Sequence, residues 1–311
     1  METLEQDILK SRTIKDISLK NYLSSIKQLC KKITGEEYKN VDCLKNYDKV
    51  MSEINKMKET TKKNYLTAII VALKAYPDKY KDEINKYSKV LKEVSEKYQN
   101  GLKNQTKTET QTKNWLSYEE LINVKNDLKD KYKSNPSFEN LQKYVMLLTY
   151  LNHPLRNDYA DMKVLTNVFY KKLSPEEQEK YNYLIIYPKN KMKFFINQFK
   201  NKSRIGSKEI EITDKELKRV INKWLKVNKS GWYFVKSDKT TPQTPNGTTK
   251  YLNQIFKPYN KKISSSMIRH ISISNDTKND PTIKEQEEKE KKIENKYLHS
   301  GAINKTYRKI K

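Results

Sequence analysis

The run YLIIYPKNKMKFFINQFKNKSRIGSKEIEIT, residues 183–213, is where the pattern of the chain changes from helical to extended. Within it YLIIYP, KFFINQFK and KEIEIT are rich in β-branched and aromatic residues. PKNK and SRIGS between them carry turn formers, so the spacing predicts a small antiparallel sheet with tight turns. On both sides the pattern is helical. Upstream, SFENLQKYVMLLTYLN (137–152) is apolar on most sides and reads as a buried central helix, and Ser117 with Glu120 forms a capping-box pair that opens a helix through Leu121, Val124 and Leu128. Downstream, DKELKRVINKWLKV and GTTKYLNQIFKPYNKK read as helices and WYFV, after Gly231, as a short buried stretch. DPTIKEQEEKEKKIENKYL is charged all round and reads as an exposed helix. The fold class expected is mainly α with a small antiparallel β-sheet, an α+β arrangement.

The first hundred residues read as helices throughout. Leu19, Leu23, Ile26, Cys30 and Ile33 recur at three- and four-residue steps and share one helical face. Val50, Met51, Ile54 and Met57 mark a second helix. Tyr65, Ile69, Ile70, Leu73 and Tyr76 mark a third, with Thr60 or Thr61 placed to cap it, and Tyr80, Ile84, Tyr87, Leu91, Val94 and Tyr98 mark a fourth. GLKNQTKTETQTKN, Gly101 to Asn114, has almost nothing to bury and reads as an exposed linker. The expected organisation is therefore a helical domain over 1–100, a linker over 101–114 and a second domain over 115–311.

The net charge of +26, from 64 Lys and Arg against 38 Asp and Glu, calls for a polyanionic partner, with nucleic acid the first candidate. An A·T-rich genome raises Lys, Asn, Ile and Tyr together, but not so large an excess over acids. Arg occurs only at positions 12, 156, 204, 219, 269 and 308, and His only at 153, 270 and 299. An Arg kept in so Lys-rich a chain points to a need for the planar fork that Lys cannot imitate. Cys30 and Cys43 are too few for a disulfide framework, and Cys30 reads as a small core residue. No metal or cofactor is expected. The N-terminus lacks a basic segment leading into an apolar run, and no stretch approaches the roughly 18 apolar residues of a membrane span. An intracellular location, in cytoplasm or nucleus, is expected, without secretion or membrane association.

The second half carries an ordered set: Arg156 after an apolar helix, a Lys in the β-hairpin region, Arg269, His299 and Tyr307 near the C-terminus. Breaking a phosphodiester without metal needs a nucleophile, cations on the non-bridging oxygens and an acid for the leaving oxygen, and this set contains all three.

The order and local context resemble the tyrosine recombinase (integrase) superfamily, in particular integrases of DNA viruses and mobile elements. HPLRNDYADMKV resembles its first Arg box at Arg156, with Tyr159 where an acid is usual and Asp158 or Asp161 left to steady the Arg. FKNKSRIGSKEIEI resembles the hairpin bearing its Lys. Lys200, on the strand entering the turn, is the first choice and Lys202 the second. SMIRHISIS resembles the second box, with Arg269 as phosphate clamp and His270 as a packing neighbour. Ser266 stands where a His is usual, and its hydroxyl can bond a phosphate but cannot act as general acid or base near neutral pH. KYLHSGAINKTYRKIK resembles the last box, with His299 and the nucleophile Tyr307 separated by a step one residue shorter than the family more often has.

The resemblance implies a site-specific recombinase that cleaves and rejoins double-stranded DNA through a 3′-phosphotyrosine, without cofactor. It implies a homodimer or homotetramer assembled on DNA, and an N-terminal helical domain that clamps DNA from the far side. Three rival readings stay open: a type IB topoisomerase, a catalytically silent DNA-binding relative, and a basic helical scaffold in which Arg156, Arg269 and Tyr307 lie far apart.

Overall fold

The apolar stripes of the first hundred residues are buried. The computed structural model describes residues 2–297. Its first helices are α1 (Glu2–Ser11), α2 (Asp16–Thr34), α3 (Tyr47–Asn55), α4 (Glu59–Leu73) and α5 (Lys81–Lys103). They close over one core in which Leu19, Leu23, Ile26 and Leu29 meet Leu66, Ile69 and Leu73. α2 stops at Gly35, whose φ of 78° is costly for a residue with a Cβ and whose N–H donates to the Lys31 carbonyl. α4 begins at Glu59, ahead of the expected Thr caps, and Lys58 before it makes no side-chain cap bond. The Tyr stripes bury rings but need partners for their hydroxyls. Tyr87 donates to the Leu44 carbonyl at 2.8 Å and Tyr80 to Asp42 Oδ1 at 2.9 Å.

Cys30 is a core residue, as expected, but it is also joined to Cys43 in a disulfide, with Cα atoms 5.7 Å apart. The sequence reading missed this bond because a separation of 13 residues carries no signature. The fold brings the Val41–Lys45 turn back onto α2.

The expected 101–114 linker divides. α5 continues to Lys103, and the boundary between the two compact units falls after Thr106. Thr108 and Gln111 form a capping box that opens α6 (Glu109–Asn114), and Asn114 Oδ1 accepts the Lys262 N–H at 2.8 Å, which ties this segment to the second unit. That unit, Lys107–Asp280, continues with α7 (Tyr118–Ser134), α8 (Phe138–Asn152), β1 (Lys163–Thr166), α9 (Asn167–Tyr170), α10 (Pro175–Lys180) and β2 (Tyr183–Ile186). It is completed by β3 (Met192–Ile196), α11 (Lys202–Ile205), β4 (Lys208–Glu211), α12 (Lys215–Val227), α13 (Pro245–Phe256) and α14 (Ser265–Asp276). A last helix, α15 (Ile283–Tyr297), groups with the first unit instead of with the expected 115–311 domain. The reason is local: Ile283 N–H donates to Gln105 Oε1 at 2.8 Å, and Lys103 pairs with Glu287 at 2.8 Å.

The chain is mainly helical with a small sheet, the α+β class expected. The sheet runs β1-β2-β3-β4 and is mixed where the sequence predicts antiparallel pairing throughout. β2, β3 and β4 pair antiparallel, but β1 adds to β2 in parallel, Lys163 opposite Tyr183 and Thr166 opposite Ile186. α8 is the central helix, buried from Tyr144 through Leu151. The WYFV stretch packs beside it. Gln142 bonds both backbone groups of Val235 at 3.0 Å, and Trp224 Nε1 donates to the Tyr233 carbonyl at 2.7 Å.

Because the Cys30–Cys43 loop is short, losing its cross-link is expected to cost about 3 kcal/mol. Cys43→Ser should lower the unfolding midpoint of the first unit without reductant, and the two proteins should melt together in dithiothreitol. Identical midpoints without reductant would show that the bond does not form.

Candidate active site

The first Arg is presented by a loop that begins where α8 must end. His153 caps α8, donating its N–H to Thr149, and Pro154 has no N–H with which to continue the helix. Tyr159 then turns back into the core. Its hydroxyl donates to the His153 carbonyl at 2.8 Å, and its ring meets Tyr150 and Phe194 edge-on, each at 5.2 Å between centroids. With Tyr159 wholly buried, Arg156 is left exposed at the outer turn of the loop. Asp158, one of the two acids expected to steady Arg156, accepts that residue's own backbone N–H at 3.1 Å.

The second Arg comes from α14. Met267, Ile268 and Ile271 are buried on its inner side. Ser266, Arg269 and His270, three and four residues apart, share the other side, where Ser266 and His270 are exposed and Arg269 is half-buried. Arg156, Asp158 and Arg269 are close enough to act on one another electrically. Burial, and then the Arg156 charge, pull Arg269 below the usual guanidinium value while Asp158 opposes them. Burial raises Asp158 above the usual carboxylate value, against the Arg156 N–H and both guanidinium charges, and Asp161 adds to the rise. A half-buried Arg269 and an exposed Arg156 thus flank one carboxylate that is reluctant to ionise. Such a corner attracts an anion with paired acceptor oxygens, to which Arg presents its fork.

Two buried or bridging amides join the loop to the other site segments. Asn157 reaches α13 and Ser265 at the start of α14. Asn182, 2% exposed, donates to the Asp158 carbonyl at 2.8 Å and to the Gln198 carbonyl at 2.9 Å, while its Oδ1 accepts the N–H groups of Asn197 and Gln198. It thereby ties the Arg156 loop to the segment that leads to Lys200. Neither Asn was singled out by sequence, since Asn is common in this chain and neither residue lies on a periodic stripe.

Lys200 lies in the connection after β3, which ends at Ile196, and not on the strand as expected. The strand stops early because Asn197 and Gln198 bond Asn182 in place of continuing the ladder. Lys200 is exposed and has no ion pair among the described residues, whereas Lys202 is paired with Glu179 at 3.1 Å. His299 and Tyr307 lie outside the described residues. Among the described residues no His, Cys, Asp and Glu side chains gather as a metal site, and no helix is long and apolar enough to cross a membrane.

An acid raised in the folded state binds its proton more readily there than when unfolded. Stability therefore falls as pH rises from the ordinary aspartate value through the raised one, and stays lower above it. Asp158→Asn keeps an acceptor for the Arg156 N–H. It should be more stable than wild type at neutral pH and lose that advantage below the ordinary aspartate range. Thermal melts showing the same difference at both pH values would contradict the assignment. No family model matches the chain, and no curated protein matches it.

Proposed function

We propose that the chain is a DNA strand-transferring enzyme of the tyrosine recombinase type, acting at defined sites as an integrase of a virus or mobile element would. The observation that carries the reading is that the Arg156 loop is bonded through Asn157 to the start of the helix bearing Arg269, with both guanidinium groups acting electrically on Asp158, in a chain with six Arg against a great excess of Lys. A basic scaffold without enzymatic role has no need to bring these two together.

In this reading the two guanidinium groups hold the non-bridging oxygens of one phosphodiester and stabilise the charge that builds in the transition state. The Tyr307 phenol releases its proton to water, and its oxygen forms a bond to phosphorus as the bond to the 5′ oxygen breaks. Lys200 gives its proton to that leaving oxygen, His299 orients the phosphate, and the Ser266 hydroxyl donates to it. The product is a 3′-phosphotyrosine, and attack by a 5′ hydroxyl from another strand reverses the step without ATP, metal or cofactor. The partner is double-stranded DNA, on which the chain assembles as a dimer or tetramer.

Tyr307→Phe should abolish covalent attachment to a nicked DNA site while leaving DNA binding intact, and a protein-linked 3′ end formed by this variant would refute the assignment. Arg269→Ala should slow attachment by about a hundredfold, as for loss of one donor to a transition-state oxyanion. Affinity should also fall steeply with salt as Lys contacts release counterions, and salt-independent binding would count against a Lys-lined DNA path. Relaxation of supercoils at no defined site would move the reading to a type IB topoisomerase.

A further inference from the structure

Asn157 stands between Arg156 and Asp158 in the chain, and its side chain bonds α13 and the start of α14, the helix that carries the second Arg. Nδ2 donates to the Pro245 carbonyl at 2.8 Å and to Thr249 Oγ1 at 3.0 Å, both in the first turns of α13. Oδ1 accepts the Ser265 hydroxyl at 2.7 Å. Ser265 is 2% exposed and opens α14, and Arg269 follows it by one helical turn on the same side. Thr249 Oγ1 donates in turn to the Pro245 carbonyl at 3.2 Å, so the α13 end of the contact is itself closed.

We infer that Asn157 is a positioning residue that sets the spacing between the guanidinium groups of Arg156 and Arg269 so that one tetrahedral anion meets both. Its amide is suited to this because two donors and an acceptor are used together on three separate partners. Asp has no donors, Ala reaches none of the partners, and Leu fills the space without bonding. The two cations repel each other, and the Asn157 bonds oppose that repulsion by fixing the loop of Arg156 to the start of the helix that bears Arg269. The inference deepens the strand-transfer reading and rests on it for its kinetic consequence, but the anion geometry stands apart from that chemistry.

With six Arg in the chain, their side-chain Nε–H signals can be followed one by one in the full-length protein. Titrating inorganic phosphate into wild type should shift the Arg156 and Arg269 signals with one common midpoint. The Arg219 signal, from α12, serves as a control that the unit is folded. In Asn157→Ala the two midpoints should separate and weaken by about tenfold, and attachment to DNA should slow by about a hundredfold at unchanged DNA affinity, as expected for a small loss of register. Ser265→Ala and Thr249→Val each remove one partner without touching the loop. Each should give part of the phosphate loss, and Ser265→Ala added to Asn157→Ala should give no more, because the two side chains share one bond. These variants carry the test if Asn157→Ala does not fold. Phosphate midpoints that stay equal and unweakened in Asn157→Ala or in both partner variants would overturn the brace. If wild type joins DNA and Asn157→Ala matches it in phosphate affinity and rate, the brace alone falls. If the phosphate effects hold but wild type never becomes joined to DNA, the brace stands and the strand-transfer reading falls.

Discussion

The hydroxyl of Tyr159, donating to the His153 carbonyl, closes the loop on which the site is built. α8 is buried along most of its length, and a chain leaving a buried helix must find partners for the carbonyls of its last turn or expose them. Tyr159 supplies one such partner from within the core, and its ring fills the space between Tyr150, Phe194 and Tyr233. The residue therefore does two jobs that an acid in its place could not, since a carboxylate there would be desolvated among aromatic rings. The acid sits one position earlier, at Asp158, on the side of the loop that faces the cations. Tyr159 thus serves packing, and the carboxylate beside Arg156 comes from Asp158.

Burial and a neighbouring cation explain why a guanidinium group is found at Arg269 in a chain otherwise dominated by Lys. Both lower the proton affinity of Arg269. A Lys in the same surroundings would begin closer to neutrality and lose its charge sooner, whereas Arg starts so high that it stays ionised through the shift. Asp158, raised in its turn, offsets only part of the positive field. The corner keeps an excess of positive charge beside a half-buried Arg269, where a phosphate gains from paired hydrogen bonds.

The helical parts of this arrangement were legible because periodic burial leaves a trace in the sequence: α2, α4, α7 and α8 lie where their stripes place them. β1 was not, because KVLT is too short and mixed to show a period, and its parallel pairing with β2 depends on a connection that only the folded unit defines. The grouping of α15 with the first unit was hidden for a similar reason, its docking being carried by single polar contacts at Gln105 and Lys103. At the site, scarcity made Arg156 and Arg269 conspicuous, and the family pattern named Asp158 as one of two possibilities. Asn157 and Asn182 were invisible. Their partners lie from 15 to 108 positions away, and a hydrogen bond across such a distance imposes no spacing that a linear reading could detect.

The distribution of these contacts separates two properties that a strand-transfer enzyme joins. Arg156, Arg269 and the bonds that hold their segments lie within Lys107–Asp280, on well-packed elements: the end of α8, the first turns of α13 and α14, and Asn182 at the entry to β2. Lys200, by contrast, lies beyond the last bonded residues of β3, exposed and unpaired among the described residues. Donors that must recognise a charge benefit from fixed geometry, because no reorganisation is then needed as the charge develops. A group that must give up a proton and recover it benefits from access to solvent. In the proposed reading, phosphate binding by the two Arg therefore belongs to the frame of the second unit, and a chain altered at Lys200 or Tyr307 would retain the means to hold a phosphate.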